Sequence, residues 1–477
     1  MFRTKLVAVF LGPAGVGLMT LLSSTTNLVG TVAGMGITTS GVRHIAEGAG
    51  DEIRIARTIA ALRWLVVRLG LCGSVLLALF CVPVSRVTFG TADHATEIAL
   101  LSMMVAAGAI ADGQVALLQG LRRIGDIARV AILGTTATLI LTLPIVYFWR
   151  QDAVVALLLA GSAATLGASW WYARRITIAP VPMTWRTAFA ESRPLLRLGL
   201  AAMAAALMVA AIAYAVRAVV VRYLGYEAAG FYQSATALSG VYCGFILTSM
   251  GADFLPRVSA VAGDDVQCNR LVNEQAEVGL LLAFPGICAT LAFAPLIIPL
   301  LYSAQFGPAA EILRWQVLGI FLRVASWPMG YLLLAKGEAK LYLWTEASYN
   351  LVHAALIWIC VQVWGLPGTG VALFGLYVYY WLLMSMVTRR LCGFAWSMPN
   401  RRLAAIAIPT VAFVFLCPAI LPSPWDAIVA AAVTMLVGLF ALRALLALPG
   451  DVRPGGALSD RMERLRAAGM RVAGFTR

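Results

Sequence analysis

Two short stretches decide how this chain folds: "FLGPAGVGLM" (Phe10–Met19) and "YLGYEAAGFY" (Tyr223–Tyr232). Each contains Leu-Gly, four residues, then Gly, at Leu11, Gly12 and Gly17 and at Leu224, Gly225 and Gly230, an offset of 213. Glycine permits backbone conformations that other residues resist, so each copy predicts a tight reversal between two helices. A second echo keeps the register: "GVRHIA" around Arg43 and "LPRVSA" around Arg257 each close the helix that follows its copy. Six helices separate the copies. An even number inserts both sets in the same orientation, and parallel repeats place a binding site where the sets meet.

The surrounding composition belongs to a membrane protein. Of 477 residues, 61% are hydrophobic and only 12% charged, too few charges for a soluble chain of this size. Apolar runs long enough to cross a bilayer as helices are read at 15–42, 59–83, 97–121, 128–149, 153–173, 195–222, 227–255, 275–302, 312–335, 341–364, 367–388, 403–421 and 425–448. A partial run fills the first dozen residues, so fourteen crossings are expected if it counts. Runs such as "AAMAAALMVAAIAYAV" lack the alternation of a transmembrane barrel.

The net charge of +14 does not point to nucleic acid, because the basic residues cluster in short loops between apolar runs. Arg43, Arg54 and Arg57, then Arg122, Arg123 and Arg129, then Arg174, Arg175, Arg186 and Arg193 mark one side. Lys336, Lys340, Arg389, Arg390, Arg401 and Arg402 continue it, while the other side holds little beyond Arg86, Arg150 and Arg222. Both termini are therefore expected on the cytoplasmic side. Eight scattered cysteines with no CxxC pair support neither a disulfide framework nor a zinc site, and neither a metal nor a cofactor is expected.

Longer stretches carry a resemblance. "TKLVAVFLGPAGVGLM", "GYEAAGFYQSATALSG" and "WQVLGIFLRVASWPMGYLLLAKGEAKLYLWTEASYN" resemble the O-antigen and enterobacterial-common-antigen flippases, the Wzx-type translocases of the multidrug/oligosaccharidyl-lipid/polysaccharide exporter superfamily. The likeness runs over roughly residues 3–390. It implies an all-α, MATE-like fold of two six-helix bundles around a central cavity. It also implies flipping of undecaprenyl-pyrophosphate-linked oligosaccharide from the cytoplasmic to the periplasmic leaflet, as in lipopolysaccharide O-antigen export.

On this reading residues 1–194 form the N-terminal bundle, 195–395 the C-terminal bundle, 396–450 an extra hairpin and 451–477 a basic cytoplasmic tail. The first helix is expected to be truncated. Only ten residues precede Leu11, a reach of about 15 Å, so either the natural start lies upstream of Met1 or the helix is short.

A lipid-linked oligosaccharide brings a diphosphate and sugars that cannot cross hydrocarbon bare. Arginine suits the diphosphate, since its planar fork donates paired hydrogen bonds and stays charged. Arg217 in "AIAYAVRAVVVRYLG" and Arg323 in "WQVLGIFLRVASWPMGY" match basic residues of the resembling flippases and are expected to face the cavity. Gln316, Ser326 and Trp327 share the helical face of Arg323. Arg43 also matches a family basic residue and is a candidate for headgroup capture at the inner mouth.

Glu346, Asn350 and His353 recur at helical spacing in "TEASYNLVHAAL", and Glu346 matches a family glutamate. Glu346, His353 and Asp112 of "GAIADGQVALLQG" are the candidates for coupling to a proton or sodium gradient or to the membrane potential. Each has a plainer reading, as a counter-ion or a satisfied helix contact. Trp344, Tyr349, Trp358, Trp364, Tyr377, Tyr379, Tyr380 and Trp381 are expected mainly at interfaces or in packing. A polysaccharide polymerase and a chain-length regulator are candidate partners.

Two other readings remain open: a MATE-type multidrug or cation antiporter, and a lipid-II flippase on the same fold. A polytopic glycosyltransferase or polymerase fits poorly, because the outer connections are short and no catalytic motif is present.

Overall fold

The computed structural model describes residues 2–48, 51–149, 153–176, 185–422 and 424–448; the segment read as a basic tail, 451–477, lies outside them. Nearly all of the described residues are helical. The elements are α1 (Phe2–Gly34), α2 (Ile37–Glu47), α3 (Glu52–Leu79), α4 (Cys81–Phe89), α5 (Ala95–Gly120), α6 (Ile124–Trp149) and α7 (Ala153–Ala173). Then follow α8 (Trp185–Ala260), α9 (Asp265–Leu301), α10 (Ala309–Ala335), α11 (Ala339–Trp364), α12 (Leu366–Cys392), α13 (Met398–Ile420) and α14 (Trp425–Ala447).

Twelve of these helices are long and apolar enough to cross a membrane. Their outward faces carry bare apolar side chains such as Leu79, Phe148, Leu300 and Leu351. Such surface is a liability in water and ordinary in lipid. The chain is a multi-pass membrane protein.

The repeated glycine motif does two jobs, split between its two glycines. Gly12 interrupts α1 with φ 63° and ψ −175°, and Gly225 interrupts α8 with φ 84° and ψ 180°. Both therefore hold the same extended, positive-φ conformation, which a side chain makes costly. α8 counts 76 residues, about 114 Å if it were straight, several times a hydrocarbon core of about 30 Å. It must be two crossings joined at Gly225, so the reversal takes a single residue rather than a loop.

The second glycine serves packing. A Cβ on Gly17 would run into the carbonyl oxygen of Tyr226, and one on Gly230 into the carbonyl oxygen of Pro13. The two contacts are images of each other under the 213-residue offset. The motif copies meet through their own second glycines, backbone against backbone, as small residues allow between membrane helices.

Sequence and structure differ at several helix starts. The expected run 15–42 is broken at Met35 (φ 46°) and Gly36 (φ 63°), and α2 follows as a separate helix. The break lies against α8: a Cβ on Gly36 would meet the Gly199 carbonyl, and one on Gly199 would meet backbone at Met35 and Gly36. α3 starts at Glu52, seven residues before the apolar run at 59, capped by the Asp51 side chain accepting from the Arg54 N–H at 2.9 Å. α8 and α9 likewise begin ten residues before their apolar runs.

The chain forms two compact units, Met1–Gln233 with Leu301–Ser303, and Ser234–Leu300 with Ala304–Arg477. In the first, Ile37, Ile45, Ile59, Leu62, Leu65 and Leu117 form a buried cluster among α2, α3 and α5. In the second, Phe254, Val258, Val272, Leu332, Leu333 and Met384 tie α8, α9, α10 and α12 together.

The hairpin α13–α14 is held at both ends of α13. At one end Asn400 donates to the Asn273 carbonyl at 2.9 Å, and the Ser397 N–H donates to Asn273 Oδ1 at 2.8 Å. At the other, Arg314 of α10 donates to the Phe415 carbonyl and lies over the Phe415 ring.

The reciprocal crossing makes a direct prediction. Gly17→Val and Gly230→Val should each cost about 2–3 kcal/mol or more and lower the melting temperature of the detergent-solubilised protein. Gly167→Ala, which meets open space, should leave it unchanged.

Candidate functional site

In the second unit, α10, α11 and α12, with Leu255 of α8, line an open cavity of about 440 Å³. Helical spacing builds its walls. Arg323, Trp327 and Tyr331 come from one face of α10; Tyr342, Glu346 and Tyr349 come from one face of α11; Tyr377 and Tyr380 come from α12. α12 can lie close enough because α10 and α12 present glycines to each other. A Cβ on Gly319 would meet Tyr377 at 2.9 Å and the Leu373 carbonyl at 3.2 Å, and one on Gly370 would meet Trp315 and the Ile312 carbonyl.

Charges of both signs line this cavity without pairing. Arg323 lies with its guanidinium carbon 5.6 Å from the Tyr377 ring centroid, a cation–π contact. Glu346 Oε1 accepts a long hydrogen bond from the Tyr380 hydroxyl at 3.5 Å. The Tyr349 hydroxyl donates to that of Tyr377 at 3.3 Å, and the Tyr349 and Tyr380 rings stand edge-on with centroids 5.2 Å apart. Trp327, Tyr331, Tyr342 and Tyr380 also pack on the buried Phe254–Met384 cluster, which fixes the aromatic walls from behind.

The first unit has its own cavity, of about 450 Å³, lined by Thr26, Asn27, Thr31, Thr38, Thr39, Ser162 and Asp112. Asp112 also faces an adjoining pocket with Gln119. None of the ion pairs among the described residues includes Asp112, Arg217 or Arg323.

The remaining candidates lie elsewhere. Arg217 folds back along α8, donating to the Ala213 carbonyl at 2.9 Å and to Gln233 Oε1 at 3.4 Å, and its buried Nε finds no partner among the described residues. Arg43 is exposed at the membrane-flanking helix α2 and pairs with Glu47 at 2.6 Å. Gln316 is fully buried. Its amide accepts from Ser239 at 3.0 Å and donates to Thr236 at 3.0 Å, so both ends are occupied by α8. His353 lies one helical turn beyond Tyr349, its buried Nε2 without a partner among the described residues. Asn350 donates to the Glu346 backbone carbonyl instead of extending the cavity wall.

The family described as "Polysaccharide biosynthesis protein" matches residues 6–311. The chain belongs to the polysaccharide biosynthesis protein family. It is 23% identical to the lipid III flippase of Escherichia coli (strain K12) over 390 residues, 80% of this chain and 91% of that protein.

Among solved structures, the lipid II flippase MurJ in an inward closed conformation superposes with a TM-score of 0.70 at 13% identity, covering 92% of this chain and 94% of that one. An inward-facing MATE multidrug transporter of the MOP superfamily gives 0.67 at 16% identity, covering 82% and 93%. The MATE-like fold expected from the sequence is thereby established. These relatives are flippases and transporters, not enzymes.

Within this family member, the sequence singled out Arg323 and Glu346, and the structure brings them to one cavity. Tyr331 and Tyr342 are not among the residues that the sequence singles out, and Tyr349, Tyr377 and Tyr380, expected mainly at interfaces or in packing, line the cavity with them. The i, i+4, i+7 spacing of Tyr342, Glu346 and Tyr349 was the available signal. Gln316→Ala should cost about 1 kcal/mol by unpairing Ser239 and Thr236, seen as a lower melting temperature. Ligand binding by the folded fraction should be unchanged.

Proposed function

We propose that this protein flips undecaprenyl-diphosphate-linked oligosaccharide from the inner to the outer leaflet of a bacterial inner membrane, with both termini in the cytoplasm. One observation carries the reading: a guanidinium with no carboxylate partner among the described residues, Arg323, on the wall of an aromatic cavity inside a membrane protein of this family. A permanent charge in that setting is costly and is retained where it meets a polar ligand. The resemblance to a lipid III flippase supports the substrate class. A cation antiporter would favour acids over arginine in its cavity, and here arginine and glutamate are balanced.

Arg323 contacts the polar headgroup, and Arg217 supplies a second guanidinium with unfilled donor capacity. An ion gradient or the membrane potential drives the cycle. Asp112, on the hydroxyl-rich wall of the first unit's cavity, and Glu346 are the carboxylates suited to exchange a cation or proton, with His353 a further candidate.

Complementation of a strain lacking this gene tests the assignment. Arg323→Ala and Arg217→Ala should each abolish surface-glycan delivery, while immunoblots of membrane fractions find normal protein levels. Arg43→Ala, which removes only an exposed i,i+4 pair, should retain delivery. Full delivery by both the Arg323 and the Arg217 variants would remove the headgroup role.

A further inference from the structure

The cavity of α10–α12 has a composition that a diphosphate alone does not explain. A diphosphate calls for several cations or backbone N–H groups and for the exclusion of acids. This wall offers one guanidinium and one carboxylate, together with Trp327 and five tyrosines. Such a set suits a polyhydroxylated ring. Aromatic faces stack on the apolar C–H face of a sugar, while a carboxylate, a guanidinium and phenol hydroxyls meet its hydroxyl edge. At about 440 Å³, the cavity is within the range of about 300–1,000 Å³ typical of small-ligand sites.

We infer that this cavity holds the sugar attached directly to the diphosphate and that Glu346 selects for an uncharged sugar there. The inference rests on the flippase reading above. Arg323 serves the end of the ligand nearest the phosphates, and Glu346 with Tyr380 and Tyr342 serves the sugar hydroxyls.

Three features point the same way. The only bond to the Glu346 carboxylate among the described residues is the 3.5 Å contact from Tyr380, so the carboxylate keeps most of its acceptor capacity for a ligand. The aromatic walls are backed by a buried cluster, so they are set in place before a ligand arrives. No ion pair joins Glu346 to Arg323, so neither group uses up the other's hydrogen-bonding capacity.

The consequence is a selectivity rule. A neutral or N-acetylated sugar can donate its hydroxyls to Glu346. A uronic acid would bring a second carboxylate into a poorly solvated site, where like charges repel strongly.

Calorimetric titration of the full-length protein in detergent tests this with four probes: citronellyl diphosphate and its glucosyl, N-acetylglucosaminyl and glucuronosyl derivatives. At least one neutral-sugar probe should bind about tenfold or more tighter than the bare diphosphate, and about tenfold tighter than the glucuronosyl probe. Glu346→Gln, which keeps the shape and removes the charge, should bring the glucosyl and glucuronosyl probes to within about threefold of each other. Trp327→Leu should weaken every sugar probe by a larger factor than it weakens the bare diphosphate.

If no sugar probe binds better than bare diphosphate, or if Glu346→Gln leaves the neutral-to-acidic ratio unaltered, the sugar subsite is overturned and the flippase reading stands. If none of the four probes binds, both fall together. Melting curves of each variant separate loss of binding from loss of fold.

Discussion

A backbone inside hydrocarbon has to satisfy its own hydrogen bonds, and this constraint governs the places where the chain changes direction. Each non-helical residue frees carbonyls and N–H groups from the helical ladder, so a reversal between two crossings has to be short and to stand where the crossings end. The chain answers by confining the interruption of α1 to Gly12 and that of α8 to Gly225. Their shared extended, positive-φ conformation is the shortest break that still redirects a helix. The glycines at 17 and 230 then bring the segments that follow against each other through carbonyl contacts at Tyr226 and Pro13. One short pattern thus serves conformation with its first glycine and close approach with its second.

Close approach recurs where the cavity is built. Lipid tails offer membrane helices no hydrophobic drive to associate, so packing and small residues have to do it. Gly319 and Gly370 let α10 and α12 draw together, and that proximity sets the Tyr377 ring beside Arg323. Behind the aromatic walls the second unit's buried cluster supplies dense packing. Without those glycines, Tyr377 could not sit where its ring meets the guanidinium.

Helix identity and the repeat were legible in the sequence because both are local and periodic. Helix starts were less so. Hydropathy reports which residues face lipid, whereas α3 and α9 begin with polar turns that flank the apolar run and continue the same helix. The break at Met35–Gly36 depends on Gly199, more than 160 residues away, and no window along the chain contains both. The site divides in the same manner. Arg323 and Glu346 stand out as charges in apolar runs, and they do line one cavity. Gln316 shares the helical face of Arg323 by spacing, yet its amide is consumed by Thr236 and Ser239 of another helix. The tyrosines were ambiguous because interfaces and sugar sites recruit the same side chains.

The cavity also poses an energetic question. Arg323 and Glu346 line the same space, and pairing them would lower the cost of burying both. The aromatic side chains keep them apart. Tyr377 takes the guanidinium against its ring, Tyr380 gives the carboxylate one long hydrogen bond, and Tyr349 contacts both tyrosines. Each charge is thereby steadied and neither is neutralised. A fold selected for stability alone would close this pair or replace it with apolar residues, since buried ion pairs add little net stability. Two separated charges, each with hydrogen-bonding capacity to spare and each held by a rigid ring, are what a binding site requires, because only a ligand bearing both donors and acceptors can satisfy them together.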